Sequence, residues 1–230
     1  MQMTTEKEKG KEQSAIVKAM IPALALLALM WLISILSLAG IVNPATWGVV
    51  PRTISGLWGV LTAPLVHANL GHLFANSFSF FILLSLIFFF YRKSAWEVLF
   101  GGWILTGLWV WIGARSSSHI GASGLIYCFA FFIFFSGIFR KEIGSLALGL
   151  IVVFLYGGMV WGLLPVQPGV SWESHLFGGA AGALLAWLLK ERGKNPKKKY
   201  SWENEPDESP DDDKAVWNFK KEFITNKDDE

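Results

Sequence analysis

The stretch His119-Ile120-Gly121-Ala122-Ser123-Gly124-Leu125-Ile126-Tyr127-Cys128-Phe129-Ala130-Phe131-Phe132-Ile133-Phe134-Phe135 decides how this chain is read. A serine set between glycines stands at the mouth of an apolar run that extends to Phe139 without a charge. About 20 such residues, wound as a helix, cross the roughly 30 Å of a bilayer's hydrocarbon. Comparable runs fall at about 19–42, 71–91, 95–114, 143–165 and 174–189. The expected fold is therefore all-α, a polytopic membrane protein with a bundle of six transmembrane helices.

Composition agrees with this. Of 230 residues 53% are apolar, with twelve Trp and eighteen Phe, more than a soluble domain usually carries. Between Ala19 and Leu189 the formal charges are Arg52, Arg92, Lys93, Glu97, Arg115, Arg140, Lys141, Glu142 and Glu173, whereas both ends are rich in Lys, Glu and Asp. The organisation expected is an N-terminal tail over 1–18, a membrane domain over 19–192 and a charged, disordered tail over 193–230. Within that tail Ala215 to Ile224 can form a short amphipathic helix, a docking site for a partner. The opening residues are too polar for a secretory signal, and the apolar run after them is too long for one, so it reads as a retained anchor.

A net charge of +2 excludes nucleic acid as an expected partner. The run Lys197-Lys198-Lys199 follows a membrane segment and reads as an anchor to anionic lipid. A single cysteine, Cys128, excludes an intrachain disulfide and a cysteine-based metal site. Orientation comes from the basic residues beside each span. Lys7, Lys9, Lys11, Lys18, Arg92, Lys93, Arg140, Lys141, Lys190 and Arg192 share one side if the chain crosses six times, and the other side receives Arg52 and Arg115. Both termini are then cytoplasmic. The connection from Asn43 to Leu70, with Pro44, Pro51, Pro64, Trp47 and Trp58, is too broken to span and too apolar for a solvated loop. It is expected as a structured segment lying in the membrane interface.

Polar groups kept at membrane depth are functional candidates. His67 and His72 open the second span, His119 precedes the fourth and His175 opens the sixth, all on the outer side with Ser123. A serine hydroxyl needs a base to become a nucleophile, and histidine is the usual one. Ser123 and His175 supply that pair. Every aspartate lies at or beyond Asp207, and Glu173 is the one carboxylate at the level of the serine, so the economical expectation is a Ser-His dyad with Glu173 as a loop residue. His72 and Asn76, four residues apart on one helical face, are candidates for the oxyanion site together with the Ser123 N–H at a helix start. His67 is a further site-shaping candidate. Gly121 and Gly124 keep the serine accessible, and Gly178 and Gly182 let two helices approach closely.

These residues resemble the rhomboid intramembrane serine proteases. Gly121-Ala122-Ser123-Gly124 matches the family's Gly-x-Ser-Gly; His175, Gly178 and Gly182 match His-x-x-Gly-x-x-x-Gly; and His67, His72 and Asn76 match the two-His, one-Asn pattern of the second helix. The resemblance covers about residues 15–192. It implies cleavage of transmembrane protein substrates within or beside the membrane, without metal or cofactor, in a bacterial cytoplasmic membrane. It also implies that the connection after the first helix is partly embedded in the membrane, beside the substrate's entry. Where many relatives carry Trp-Arg in that connection, this chain has Trp58-Gly59, with Arg52 further back. Two other readings are a non-catalytic binder of transmembrane helices, which has no need of a Ser-His pair, and a proton carrier, which needs titratable groups in the inner halves of the helices.

Overall fold

The computed structural model describes residues 2–166 and 169–193. The basic and acidic tail beyond Gly193, including the helix expected at Ala215 to Ile224, lies outside the described residues. The described chain is helical, with no named strand. Helix α1 spans Gln2–Leu38, 37 residues with Pro22 inside. It starts well before residue 19 because most residues ahead of its apolar part are good helix formers. It ends four residues short of the expected 42, at a Schellman turn. Gly40 takes φ +74°, and the N–H of Ile41 reaches back to Leu36 O at 2.9 Å.

The connection that follows is structured. It contains helix α2 (Pro44–Trp47), a 3₁₀ turn at Ser55–Leu57, helix α3 (Gly59–Thr62) and a second 3₁₀ turn at Ala63–Leu65. Then come α4 (Leu70–Phe90), α5 (Ala95–Gly113), α6 (Ser123–Arg140), α7 (Ile143–Tyr156), a 3₁₀ segment at Gly157–Leu163, and α8 (Trp172–Leu188). Among the described residues five segments are long and apolar enough to cross a bilayer: Gly10–Leu38, Leu70–Phe90, Ala95–Gly113, Ser123–Arg140 and Ile143–Leu163. The sixth expected span is the helix α8, whose 17 residues reach about 25 Å at 1.5 Å each.

Helix α6 carries much of the core. Its Leu125, Phe129, Phe132 and Ile133 are fully buried among Phe80, Leu83 and Leu84 of α4, Leu99 of α5 and Ala181 of α8. Large side chains such as Phe74, Phe78 and Phe154 instead face outward, as expected of helices whose solvent is lipid.

The connection is fastened to α5 by polar contacts. Trp103 Nε1 donates to Val60 O at 3.0 Å and Trp111 Nε1 to Thr53 O at 2.8 Å. Arg52, held at φ +60°, sends its guanidinium to Ile112 O (3.2 Å), Ala114 O (2.8 Å) and Ser116 Oγ (3.1 Å). Those carbonyls lie at the C-terminus of α5, where acceptors lack intrahelical donors and positive charge is favoured. The departure at Trp58-Gly59 also has a steric reason. Gly59 lies so close to Gly48 O that a Cβ would overlap it, so no arginine fits there without moving the backbone.

Candidate active site

Ser123 is the first residue of α6, and the chain reaches it through Gly121 at φ +105°, a conformation L-residues with a Cβ rarely adopt. A Cβ on Gly121 would come 2.6 Å from His72 Cε1 and 3.1 Å from His72 Nε2. The glycine thus serves both the turn and the close approach of α4. The Gly121 N–H is tied to Ala63 O at 2.9 Å, which couples the serine turn to the connection after α1.

His175 enters from the first turn of α8. Its Nε2 lies 2.8 Å from Ser123 Oγ, and its Nδ1 lies 2.8 Å from the carbonyl of Gly162. A carbonyl can only accept, so Nδ1 carries the proton and Nε2 presents its lone pair to the serine hydroxyl. The ring is also held by Tyr127, stacked on it at 4.2 Å with the planes 7° apart, and the Tyr127 hydroxyl donates to Met159 O at 2.6 Å. A backbone carbonyl and an aromatic face thus occupy the place that an acid takes in a triad. Glu173 is turned elsewhere: it sits buried in the first turn of α8 rather than in a loop, with Oε1 3.4 Å from Arg115 Nε.

The approach of α8 to α6 depends on Gly178 and Gly182. A Cβ on the first would overlap Gly124 O, and on the second Cys128 O. On the other side of the serine, His72 and Asn76 line the same cavity as Ser123, Tyr127 and His175, a cleft of about 560 Å³. Asn76 is buried, and its Nδ2 has no partner among the described residues. Since a buried donor without an acceptor is costly, the amide is poised to receive one.

His67 does not line that cleft. It is buried behind it, and its Nε2 accepts the Ala122 N–H at 3.3 Å while its ring meets His72 edge-on at 5.1 Å. Burial, followed by the positive charge that His72 can carry, lowers its pKa from 6.5 to about 4. The neutral ring is what accepts the Ala122 N–H. A histidine whose folded pKa is depressed contributes its full stability above the unfolded value, and loses it as pH falls through 6.5 toward 4. The unfolding temperature of the purified protein should therefore fall as pH is lowered across that window, and His67→Asn should flatten the dependence. An unchanged pH profile in the variant would refute this assignment.

Sequence reasoning missed Tyr127 and Gly162. Tyr127 was detectable, one helical turn beyond Ser123 on the same face. Gly162 was not, because every residue has a carbonyl and only folding selects this one.

The profile of the Rhomboid domain matches residues 55–192, and the chain belongs to the rhomboid family of integral membrane proteins. Among curated relatives it is similar to an uncharacterized protein of Mycobacterium tuberculosis, 41% identical over 152 residues, covering 62% of this chain and 63% of the relative. An uncharacterized protein of Mycobacterium leprae is 38% identical over 148 residues, 58% of this chain and 56% of the relative. A more distant one, named "Putative rhomboid protease YdcA" in Bacillus subtilis, is 28% identical over 141 residues, 59% of this chain and 68% of the relative. The match spans less than two thirds of the length of the mycobacterial proteins.

Proposed function

We propose that this protein is an intramembrane serine endopeptidase that cleaves transmembrane segments of other membrane proteins near the outer face, with Ser123 as nucleophile and His175 as general base. The observation that carries the reading is the Ser123 Oγ to His175 Nε2 contact of 2.8 Å, with Nδ1 engaged by Gly162 O. The hydroxyl proton passes to Nε2 as Oγ bonds to the substrate's carbonyl carbon. The carbonyl oxygen gains negative charge, which the Asn76 amide, the His72 ring and the Ser123 N–H stabilise. As the C–N bond breaks, the proton on Nε2 moves to the departing amine. Water then releases the acyl group from Ser123 with His175 again as base. This chemistry requires neither metal nor cofactor.

The same reading takes α8 as a sixth crossing, places both termini in the cytoplasm and opens the cleft outward. It sets the connection after α1 at the membrane interface, where its exposed Ile54 and Trp58 meet lipid. Substrates expected are transmembrane helices carrying Gly, Pro or other weak helix formers near the outer face, since a helix must unwind to present its peptide bond.

The test is labelling by a serine-directed fluorophosphonate together with cleavage of a membrane-anchored reporter in liposomes. Asn76→Ala should lower kcat by about 10²-fold with a much smaller change in KM, as expected for a donor engaged mainly in the transition state. Equal kcat in variant and wild type would remove Asn76 from the oxyanion site. Wild type that binds transmembrane helices yet neither labels nor cleaves would be a binder instead.

A further inference from the structure

Four residues before Ser123 lies His119, and four before His175 lies Ser171; these two side chains also meet. His119 Nδ1 is 2.6 Å from Ser171 Oγ, so side-chain contacts join the two segments that carry the dyad at two matching positions. We propose that His119 is a positioning residue for the Ser123–His175 pair, setting the angle at which the start of α8 meets the serine turn. This rests on the serine-protease reading above.

The hydrogen-bond directions are determined by which groups can donate. His119 Nε2 lies 3.0 Å from Arg115 O, a pure acceptor, so Nε2 carries a proton and, in the neutral ring, Nδ1 accepts. Ser171 therefore gives its single proton to Nδ1. Its oxygen is then left to accept from the Ser174 N–H at 3.3 Å, as the N-cap of α8, and from the Ser174 hydroxyl at 2.7 Å. One histidine ring thereby orients the cap of the helix whose first turn holds His175.

The other side of His119 is anchored as well. Its backbone exchanges two hydrogen bonds of 2.9 Å with Val49, in the connection after α1, and the residue is only 3% exposed. The pin therefore runs from a fixed backbone, through a buried ring, to the start of α8. Arg115 adds contacts to Val170 O at 2.9 Å and Glu173 Oε1 at 3.4 Å, but its side chain is half exposed, where ion pairs contribute little. Gly178 and Gly182, packed on Gly124 O and Cys128 O, set how closely α8 lies on α6 on the C-terminal side of His175. The His119–Ser171 contact adds a tie on its N-terminal side, and with both sides held the direction of the imidazole is set, which is what aligns Nε2 with the serine proton. His119 does not line the catalytic cleft, so its effect reaches the reaction through α8.

The experiment compares wild type, His119→Leu, His119→Asn, Ser171→Ala and the His119→Leu/Ser171→Ala pair in liposomes, with Ser123→Ala as the inactive reference. His119→Leu should lower both kcat and the rate of fluorophosphonate labelling by on the order of tenfold to a hundredfold while KM changes little. His119→Asn, which keeps an acceptor near the place of Nδ1, should recover much of the loss. The double variant should be no worse than the poorer single variant, because both remove one contact. An active His119→Leu with wild-type kcat, or losses that add in the double variant, would overturn the proposal while leaving the Ser123 assignment intact. Ring ¹⁵N spectra test the contact without activity: Nδ1 of His119 should respond to Ser171→Ala, and no response would overturn the pin. Wild type that never labels or cleaves would overturn the protease reading and the positioning role with it, and a responding Nδ1 would then trace the failure to the parent reading.

Discussion

Ser123→Ala is expected to abolish both fluorophosphonate labelling and cleavage of a membrane-anchored reporter, lowering the rate by about 10⁴-fold or more. His175→Ala should cost nearly as much, and the double variant should be no worse than either single one. Groups that act as one unit are not additive: without a base the hydroxyl keeps its proton, and without the hydroxyl the base has nothing to activate. The geometry makes this sharp, because among the described residues the Ser123 Oγ proton has one well-placed acceptor, His175 Nε2 at 2.8 Å, whose other nitrogen is occupied by Gly162 O. Cleavage retained in Ser123→Ala would end the assignment. Labelling of wild type lost in His175→Ala, with both proteins folded by thermal unfolding, would locate the defect in activation rather than in the fold.

The second large effect is expected from a single methyl group. In Gly178→Ala the new Cβ would overlap the carbonyl oxygen of Gly124, a backbone atom that cannot rotate away. Helix α8 must retreat from α6 by on the order of 1 Å, and a displacement of that size at a reacting pair costs about 10²-fold in rate. His175 is three residues away on the same helix, so the 2.8 Å contact to Ser123 is stretched directly. The unfolding temperature should fall too, since close approach is what holds small-residue helix pairs together in lipid. Gly144→Ala is the matched control: a Cβ there meets nothing within 4 Å, and activity and stability should stay at wild-type values. A Gly178→Ala protein with wild-type kcat would show that the α6–α8 distance is not what sets the rate.

Helices of lipid-spanning length follow from hydropathy, because hydrocarbon cannot pair a backbone N–H or C=O and the chain must pair them within itself. The gathering of Ser123, His175, His72 and Asn76 was legible for a related reason: polar groups in an apolar segment are costly, so each one marks a place where something compensates. The small residues at 178 and 182 stood out by their four-residue spacing. Boundaries were less legible. The end of α1 at Leu38 depends on a left-handed glycine at 40, and the change from α-helix to 3₁₀ after Tyr156 falls at Gly157-Gly158, inside a run that hydropathy reads as one helix.

A helical membrane domain, and the few polar residues that are candidates for its chemistry, could thus be read from residue types alone, because burial in lipid selects those types and hydropathy records that selection. Tertiary structure alone decided what holds those residues: the Gly162 carbonyl rather than a carboxylate on His175, the Tyr127 ring stacked against it, Arg52 on the end of α5, and His119 on Ser171. The reason is that backbone acceptors are present at every residue and side-chain directions depend on packing, so such partners carry no mark in the sequence until the helices are brought together.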